Sequence, residues 1–215
     1  VLDYKNKQML FNIKQTFLII LGLLMLSACN TRWAADSFIS PQKNKEQLAK
    51  EKANVIICAR NEDELKLAQM EIRTETGKEV TYFVCDVTNE NQVREMIAGI
   101  IEEFGSLDIL VCNAGGPPAG TTDDFGLEDY RRALELNLLS TVNLCNLAVP
   151  VMRKNRWGRI VVITSVSVKQ PINTLVLSNT ARAGATGFIK TLSNQVAADG
   201  ITVNAICPGW VLTPL

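Results

Sequence analysis

Between residues 54 and 206, short apolar runs of strand length alternate with longer stretches of helical spacing, and this alternation restricts the architecture more than any other feature of the chain. The runs lie at 54–59, 79–85, 107–112, 159–164 and 201–206 and are rich in Val and Ile. Continuous β-branched runs belong to strands buried on both faces, as in a parallel sheet. The stretches between them carry helix punctuation. Asn61 is placed to cap a helix running to Thr76, with Gly77 as its stop, and a second helix runs from about Asn89 to Phe104 and closes at Gly105. A long helix is expected from Leu127 to about Lys154, with Leu134, Leu138 and Val142 at helical spacing, and another from about Leu175. Strand and helix in turn predict an α/β fold: a parallel sheet with helices on both faces.

Residues 159–190 carry the densest chemistry. The strand at 159–164 runs into a polar turn with Ser165 and Ser167, at the carboxyl end where open α/β sheets hold ligands. On the following helix Ser178 and Arg182 are four apart and share one face. The small residues Ala181, Ala183, Gly184, Ala185 and Gly187 let that helix pack closely. Strand, serine and helix in this arrangement resemble the active-site segment of the short-chain dehydrogenase/reductases, in which a strand ends in Ser and the next helix opens with Tyr-x-x-x-Lys. Ser165 matches the family's serine. Ser178 stands where the family has tyrosine and Arg182 where it has lysine.

Further positions carry the resemblance and what it implies. Arg60, after the strand at 54–59, is similar to the family's basic residue for a 2′-phosphate, which implies NADP; the other reading is a solvated arginine at a helix start. Asp86 resembles the adenine-binding aspartate, and is otherwise a turn residue. Asn113-Ala114-Gly115 resembles the family's N-N-A-G with Cys112 in place of the first Asn, a set that serves the sheet as much as the cofactor. Asn137 matches the helix asparagine of the family's proton relay, and Asn is mildly unfavourable in a helix interior. Pro208-Gly209 with Thr213 is similar to P-G-x-x-x-T on the nicotinamide side.

The resemblance implies a doubly wound, Rossmann-like sheet with one more strand ahead of residue 54, ending in a glycine-rich G-x-x-x-G-x-G turn. No glycine occurs between Gly22 and Gly77. Counted back along the family pattern, that turn falls at 34–41, where side chains would stand in the phosphate path and Pro41 has no amide hydrogen. The expectation is therefore a partial sheet lacking its first strand and glycine-rich turn, and lacking the C-terminal strand and substrate lid that would follow Leu215. The surviving contacts, at one end of the cofactor, are too few for micromolar NADPH binding.

The segment from Met9 to Cys29 explains why. Lys14 precedes an apolar run at 17–26, and Leu26-Ser27-Ala28-Cys29 follows. A charged n-region, a short apolar region and a small-residue cleavage site are the parts of a secretory signal. The ending resembles the lipobox of bacterial lipoproteins, with Cys29 as the lipidated residue. A buried strand or helix is the competing reading of 17–26. The expected division is a signal segment at 1–29, a linker at 30–47 with a charged helix end at 45–52, and a reductase-like domain at 48–215.

Composition removes several functions. Lys+Arg and Asp+Glu are balanced at 22 each and no basic stripe is visible, which argues against a nucleic-acid partner. Histidine is absent, so a Ser-His triad and a His-ligated metal are excluded. The cysteines include no C-x-x-C pair, and Cys58, Cys85 and Cys112 recur at strand ends as buried reduced thiols would. Two functions are carried forward. One is an NADP-linked reductase of a small carbonyl or acyl substrate, similar to carbonyl and 3-oxoacyl-carrier-protein reductases, impaired by the replaced tyrosine and lysine and, by family habit, a homo-oligomer. The other is a non-enzymatic remnant held at a membrane by its lipid anchor, against a cytoplasmic location for the enzyme.

Overall fold

The computed structural model describes residues 53–209 and the backbone of the strand at 17–21. Six strands form one sheet: β1 (Phe17–Leu21), β2 (Asn54–Ala59), β3 (Thr81–Val84), β4 (Ile109–Cys112), β5 (Gly158–Ile163) and β6 (Ile201–Ile206). Their order is β3-β2-β1-β4-β5-β6 and every pairing is parallel. The expected α/β class and parallel sheet are present. β2 and β6 have the bounds read from the sequence; β3 and β4 begin two residues later than their apolar runs.

One expectation is corrected. The sheet does not lack its first strand: Phe17–Leu21, read above as part of a signal, lies at its centre. It pairs with β2 from Phe17↔Asn54 to Leu21↔Cys58 and with β4 from Leu18↔Ile109 to Ile20↔Val111. A short uncharged apolar run satisfies a strand flanked on both sides as well as it satisfies a signal, and periodicity does not separate the two. Residues 22–52 lie outside the described residues, and with them Cys29, the linker, the charged helix end and the expected place of the glycine-rich turn. In sequence Gly22 directly follows β1.

The helices start and stop on local signals. In α1 (Glu62–Thr76) the Asn61 side chain accepts from the amides of Asp63 and Glu64, and Gly77 closes the helix at φ +67°. In α2 (Glu90–Phe104) Asn89 and Gly105, at φ +77°, do the same. The long helix expected from Leu127 is interrupted: α3 (Leu127–Leu134) passes through a π-helical turn (Glu135–Leu139) into α4 (Ser140–Asn155). The last helix is α5 (Val176–Val196).

The two faces of the sheet hold separate cores. Leu65, Ala68 and Ile72 of α1 cover Val55 and Ile57 on one face. On the other, α2, α4 and α5 bury Ile56, Leu110, Ile160 and Val203 under Ile97, Ile100, Leu144, Met152, Ile189 and Val196. With all strands parallel, every carboxyl end meets one edge of the sheet. The chain runs outward in one direction through β2 and β3 and in the other through β4, β5 and β6, so the strand order reverses between β1 and β4, the place where open parallel sheets hold ligands.

Ile19 pairs with both Ile56 and Leu110, so a proline there removes a ladder donor from the middle of the sheet. Ile19→Pro is expected to destabilise the protein by at least about 1–3 kcal/mol, the cost of a buried carbonyl left without its donor, and to lower its thermal transition strongly, measured by circular dichroism. A wild-type melt in this variant would remove β1 from the sheet.

Candidate active site

At the carboxyl end of β2, Arg60 is exposed and has no ion-pair partner among the described residues. Asp86, after β3, serves a turn: its Oδ1 accepts from the amide and the hydroxyl of Thr88, at 2.9 and 2.8 Å, and its own amide donates to Gln92 Oε1 at 2.7 Å. Its other carboxylate oxygen has no partner among the described residues. The turn reading of Asp86 therefore holds, with one acceptor to spare.

The loop after β4 is held from behind. Asn137 lies in the π-helical turn, is 4% exposed, and donates from Nδ2 to the carbonyl of Gly115 at 2.7 Å. A π turn is a usual sign of a helix bent to serve a site. Here it leaves carbonyls to satisfy: Ser140 Oγ donates to Leu136 O and Thr141 Oγ1 to Asn137 O. Asn137 Oδ1 is buried and has no hydrogen-bond partner among the described residues. Arg182 reaches the same loop from α5. Its Nη2 donates to Ala114 O at 3.3 Å, and its Nη1 to Ile163 O and Thr164 O at 2.8 and 3.3 Å. One guanidinium thus joins the end of β5 to the loop after β4.

Ser165 follows β5 and accepts from the amide of Ser167 at 3.1 Å, which leaves its own hydrogen free to donate. The β6 end closes beside it. Val166 N donates to Pro208 O at 2.8 Å, and Thr164 bonds Ile206 O through its amide and its hydroxyl while touching Cys207 Sγ at 3.2 Å. Pro208 and Gly209 are accordingly at the site, whereas Thr213 lies outside the described residues. Ser178 and Arg182 are both buried, one turn apart on α5.

The structure brings Asn137, Ala114, Gly115, Ser165, Arg182 and Pro208 to one region. It keeps Arg60 and Asp86 on the β2–β3 side of the same edge. Arg182 has no carboxylate partner among the described residues, and burial pulls its guanidinium below the ordinary value. It still keeps its proton throughout the working pH range. Its donors face backbone carbonyls, so it supplies charge and hydrogen bonds and transfers no proton. Composition did not reveal the thiol pairs of the core. The Cys58 thiol beside Cys85 pulls the Cys85 thiol down, whereas Cys145 and burial together push Cys112 up.

The model of a family described as short chain dehydrogenase matches residues 43–215. D-β-hydroxybutyrate dehydrogenase of Rhizobium meliloti is 36% identical over 171 residues, covering 78% of this chain and 66% of that protein. The chain spans just under two thirds of the length of such curated relatives. Among solved structures, L-sorbose reductase of Gluconobacter frateurii, complexed with NADPH and L-sorbose, is 30% identical with a TM-score of 0.80, covering 94% of this chain and 72% of that one. A single-residue variant of actinorhodin polyketide ketoreductase with NADPH is 31% identical, also at 0.80, covering 93% and 72%.

The thiols provide a check on this packing. Cys58, Cys85, Cys112 and Cys145 are buried and Cys207 is half-buried at the site. Brief alkylation of the native protein near neutral pH should modify Cys207 before the other described cysteines and leave Cys112, held as a neutral thiol, unmodified until unfolding. Peptide mass spectrometry showing Cys112 labelled as fast as Cys207 would contradict the position of β4 against α4.

Proposed function

Because the chain belongs to the short-chain dehydrogenase family, we propose that it is an NADP-linked oxidoreductase of small carbonyl or acyl compounds, of 3-oxoacyl reductase type, with an impaired proton-transfer position. The observation that carries the reading is the convergence of Ser165, Asn137 and Arg182 with the loop after β4 at the carboxyl edge of a parallel sheet. Relatives named for hydroxybutyrate, sorbose and a polyketide ketone support a small carbonyl or hydroxy compound as substrate.

The expectation of too few contacts for NADPH assumes a sheet without its first strand; with β1 paired between β2 and β4, the residues described fit a dinucleotide. Arg60 is an exposed cation with no ion-pair partner among the described residues, suited to a 2′-phosphate. Asp86 keeps one oxygen without a partner among the described residues for ribose or adenine, and apart from its chain neighbours no described atom lies within 4 Å of where a Cβ at Gly116 would be. Asn113, Ala114, Gly115, Pro208 and Gly209 would complete the contacts. When bound, NADPH supplies a hydride. The chain's own residues have the task of orienting the carbonyl and delivering a proton. Ser165 can donate a hydrogen bond to the substrate oxygen and polarise it. Ser178 offers an aliphatic hydroxyl on a short stem, which is a poor acid at neutral pH, and Arg182 is fixed on carbonyls. Turnover is therefore slow.

A second reading, a non-enzymatic lipoprotein, rests on the leader from Met9 to Cys29. One molecule cannot use residues 17–21 both as a removed signal and as its central strand, and the pairing of β1 favours the retained strand and a cytoplasmic enzyme. Under the lipoprotein reading Cys29→Ala abolishes membrane fractionation in a bacterial host; under the enzyme reading it changes nothing.

The cofactor assignment predicts that NADPH quenches or shifts protein fluorescence saturably and binds more tightly than NADH. Arg60→Ala should remove most of that preference, a change of about fivefold for an exposed ion pair. Equal binding of the two cofactors by the wild type would overturn the NADP assignment. The impaired step predicts that Ser178→Tyr combined with Arg182→Lys raises NADPH-dependent reduction of a small 3-oxoacyl thioester by about 100-fold or more, the usual contribution of a positioned general acid. No gain in a folded, NADPH-binding double variant would show that these positions do not face the substrate.

A further inference from the structure

We propose that Arg182, with Asn137, is a positioning residue for the ligand: the two side chains hold the successive carbonyls of Ala114 and Gly115 and so aim the amides of Gly115 and Gly116 at an acceptor oxygen of the bound nucleotide. This rests on the dinucleotide reading above for the identity of the ligand and on the structure for the rest. Arg182 Nη2 takes the Ala114 carbonyl at 3.3 Å and Asn137 Nδ2 takes the Gly115 carbonyl at 2.7 Å. No described peptide is cis, and in a trans peptide the N–H points opposite to the carbonyl of the same plane. Both carbonyls are drawn inward, toward the helices that carry Arg182 and Asn137. The amide hydrogens of Gly115 and Gly116 therefore face the other way.

Among the described residues neither amide has an acceptor. Gly115 is half-buried, and a half-buried donor without a partner calls for one from outside. Gly116 is exposed, and apart from its chain neighbours no described atom lies within 4 Å of where its Cβ would be. The same guanidinium is anchored to Ile163 O and Thr164 O, so the loop after β4 is referenced to the rigid end of β5. A cation spread over three carbonyl dipoles with no carboxylate near it among the described residues also favours an electron-rich ligand at that edge. The acceptor class is thus a phosphate or ribose oxygen. Arginine at this position works as a strut, which explains why its donors are committed to backbone.

The test compares Arg182→Lys, Arg182→Met and Asn137→Ala with the wild type in two measurements. Without ligand, amide ¹⁵N relaxation should show Gly115 and Gly116 as rigid as β5 in the wild type and Arg182→Lys, and mobile in Arg182→Met. In Asn137→Ala the loosening should centre on Gly116. With NADPH, the amide signals of Gly115 and Gly116 should move, and the dissociation constant should rise about tenfold in Arg182→Met and Asn137→Ala while Arg182→Lys stays near wild type. Unchanged relaxation in Arg182→Met overturns the proposal, and so does wild-type NADPH affinity in that variant. If Arg182→Met fails to fold, Asn137→Ala decides by the same criteria. A folded wild type that ignores NADPH overturns the dinucleotide reading alone, because the relaxation measurement needs no ligand.

Discussion

The hydrogen-bond ladder on both sides of β1 is the constraint on which the rest of this protein depends. β2 and β4 each present a row of backbone donors and acceptors toward the centre of the sheet, and unpaired buried peptide groups are costly. Phe17–Leu21 satisfies both rows at once. With that strand in register, β2 and β4 end within one residue of each other, and Arg60 and Asn113 follow them at the same edge of the sheet. Remove it and the two halves of the sheet expose edges that invite association with other chains.

In the function proposed above, the residues gathered at that edge are better suited to hold a ligand than to transfer a proton. Its backbone loop is braced by two buried side chains from different helices, and the π-helical turn brings one of them, Asn137, against Gly115. Buried polar groups persist where their bonds fix a geometry, because a half-satisfied polar network costs more than an apolar one. Arg182 meets that standard with three carbonyls. Ser178, a turn earlier, forms no such network among the described residues. The contrast is structural: the arginine organises backbone, and the serine does not.

Much of this was legible in the sequence because the signals are local. Asn61, Gly77, Asn89 and Gly105 act on amides and carbonyls a few residues away, so their roles follow from spacing. β2 and β6 follow from uninterrupted apolar runs. Ser165, Asn137, Arg182 and Pro208, singled out by motif, stand near one another in the structure. What the sequence concealed depends on contacts across long separations. The run at 17–21 has the same composition whether it enters a membrane or a sheet, and only pairing with residues 54–58 and 109–111 decides. The π turn has no composition signal, since Glu135–Leu139 reads as ordinary helix. The partners of Arg182 are backbone oxygens 68 and 19 residues away, which no side-chain pattern announces. The pairing of Cys58 with Cys85 and of Cys112 with Cys145 follows from strand register and helix placement, and neither is written in cysteine spacing.

Hydrogen–deuterium exchange of the full-length chain, read peptide by peptide, tests the central claim most directly. If β1 completes the sheet, the amides of Leu18 to Leu21 exchange as slowly as those of β2 and β4 and open only with global unfolding. Rapid exchange across 17–21, with β2 and β4 still protected, would contradict the account and leave the sheet without its centre.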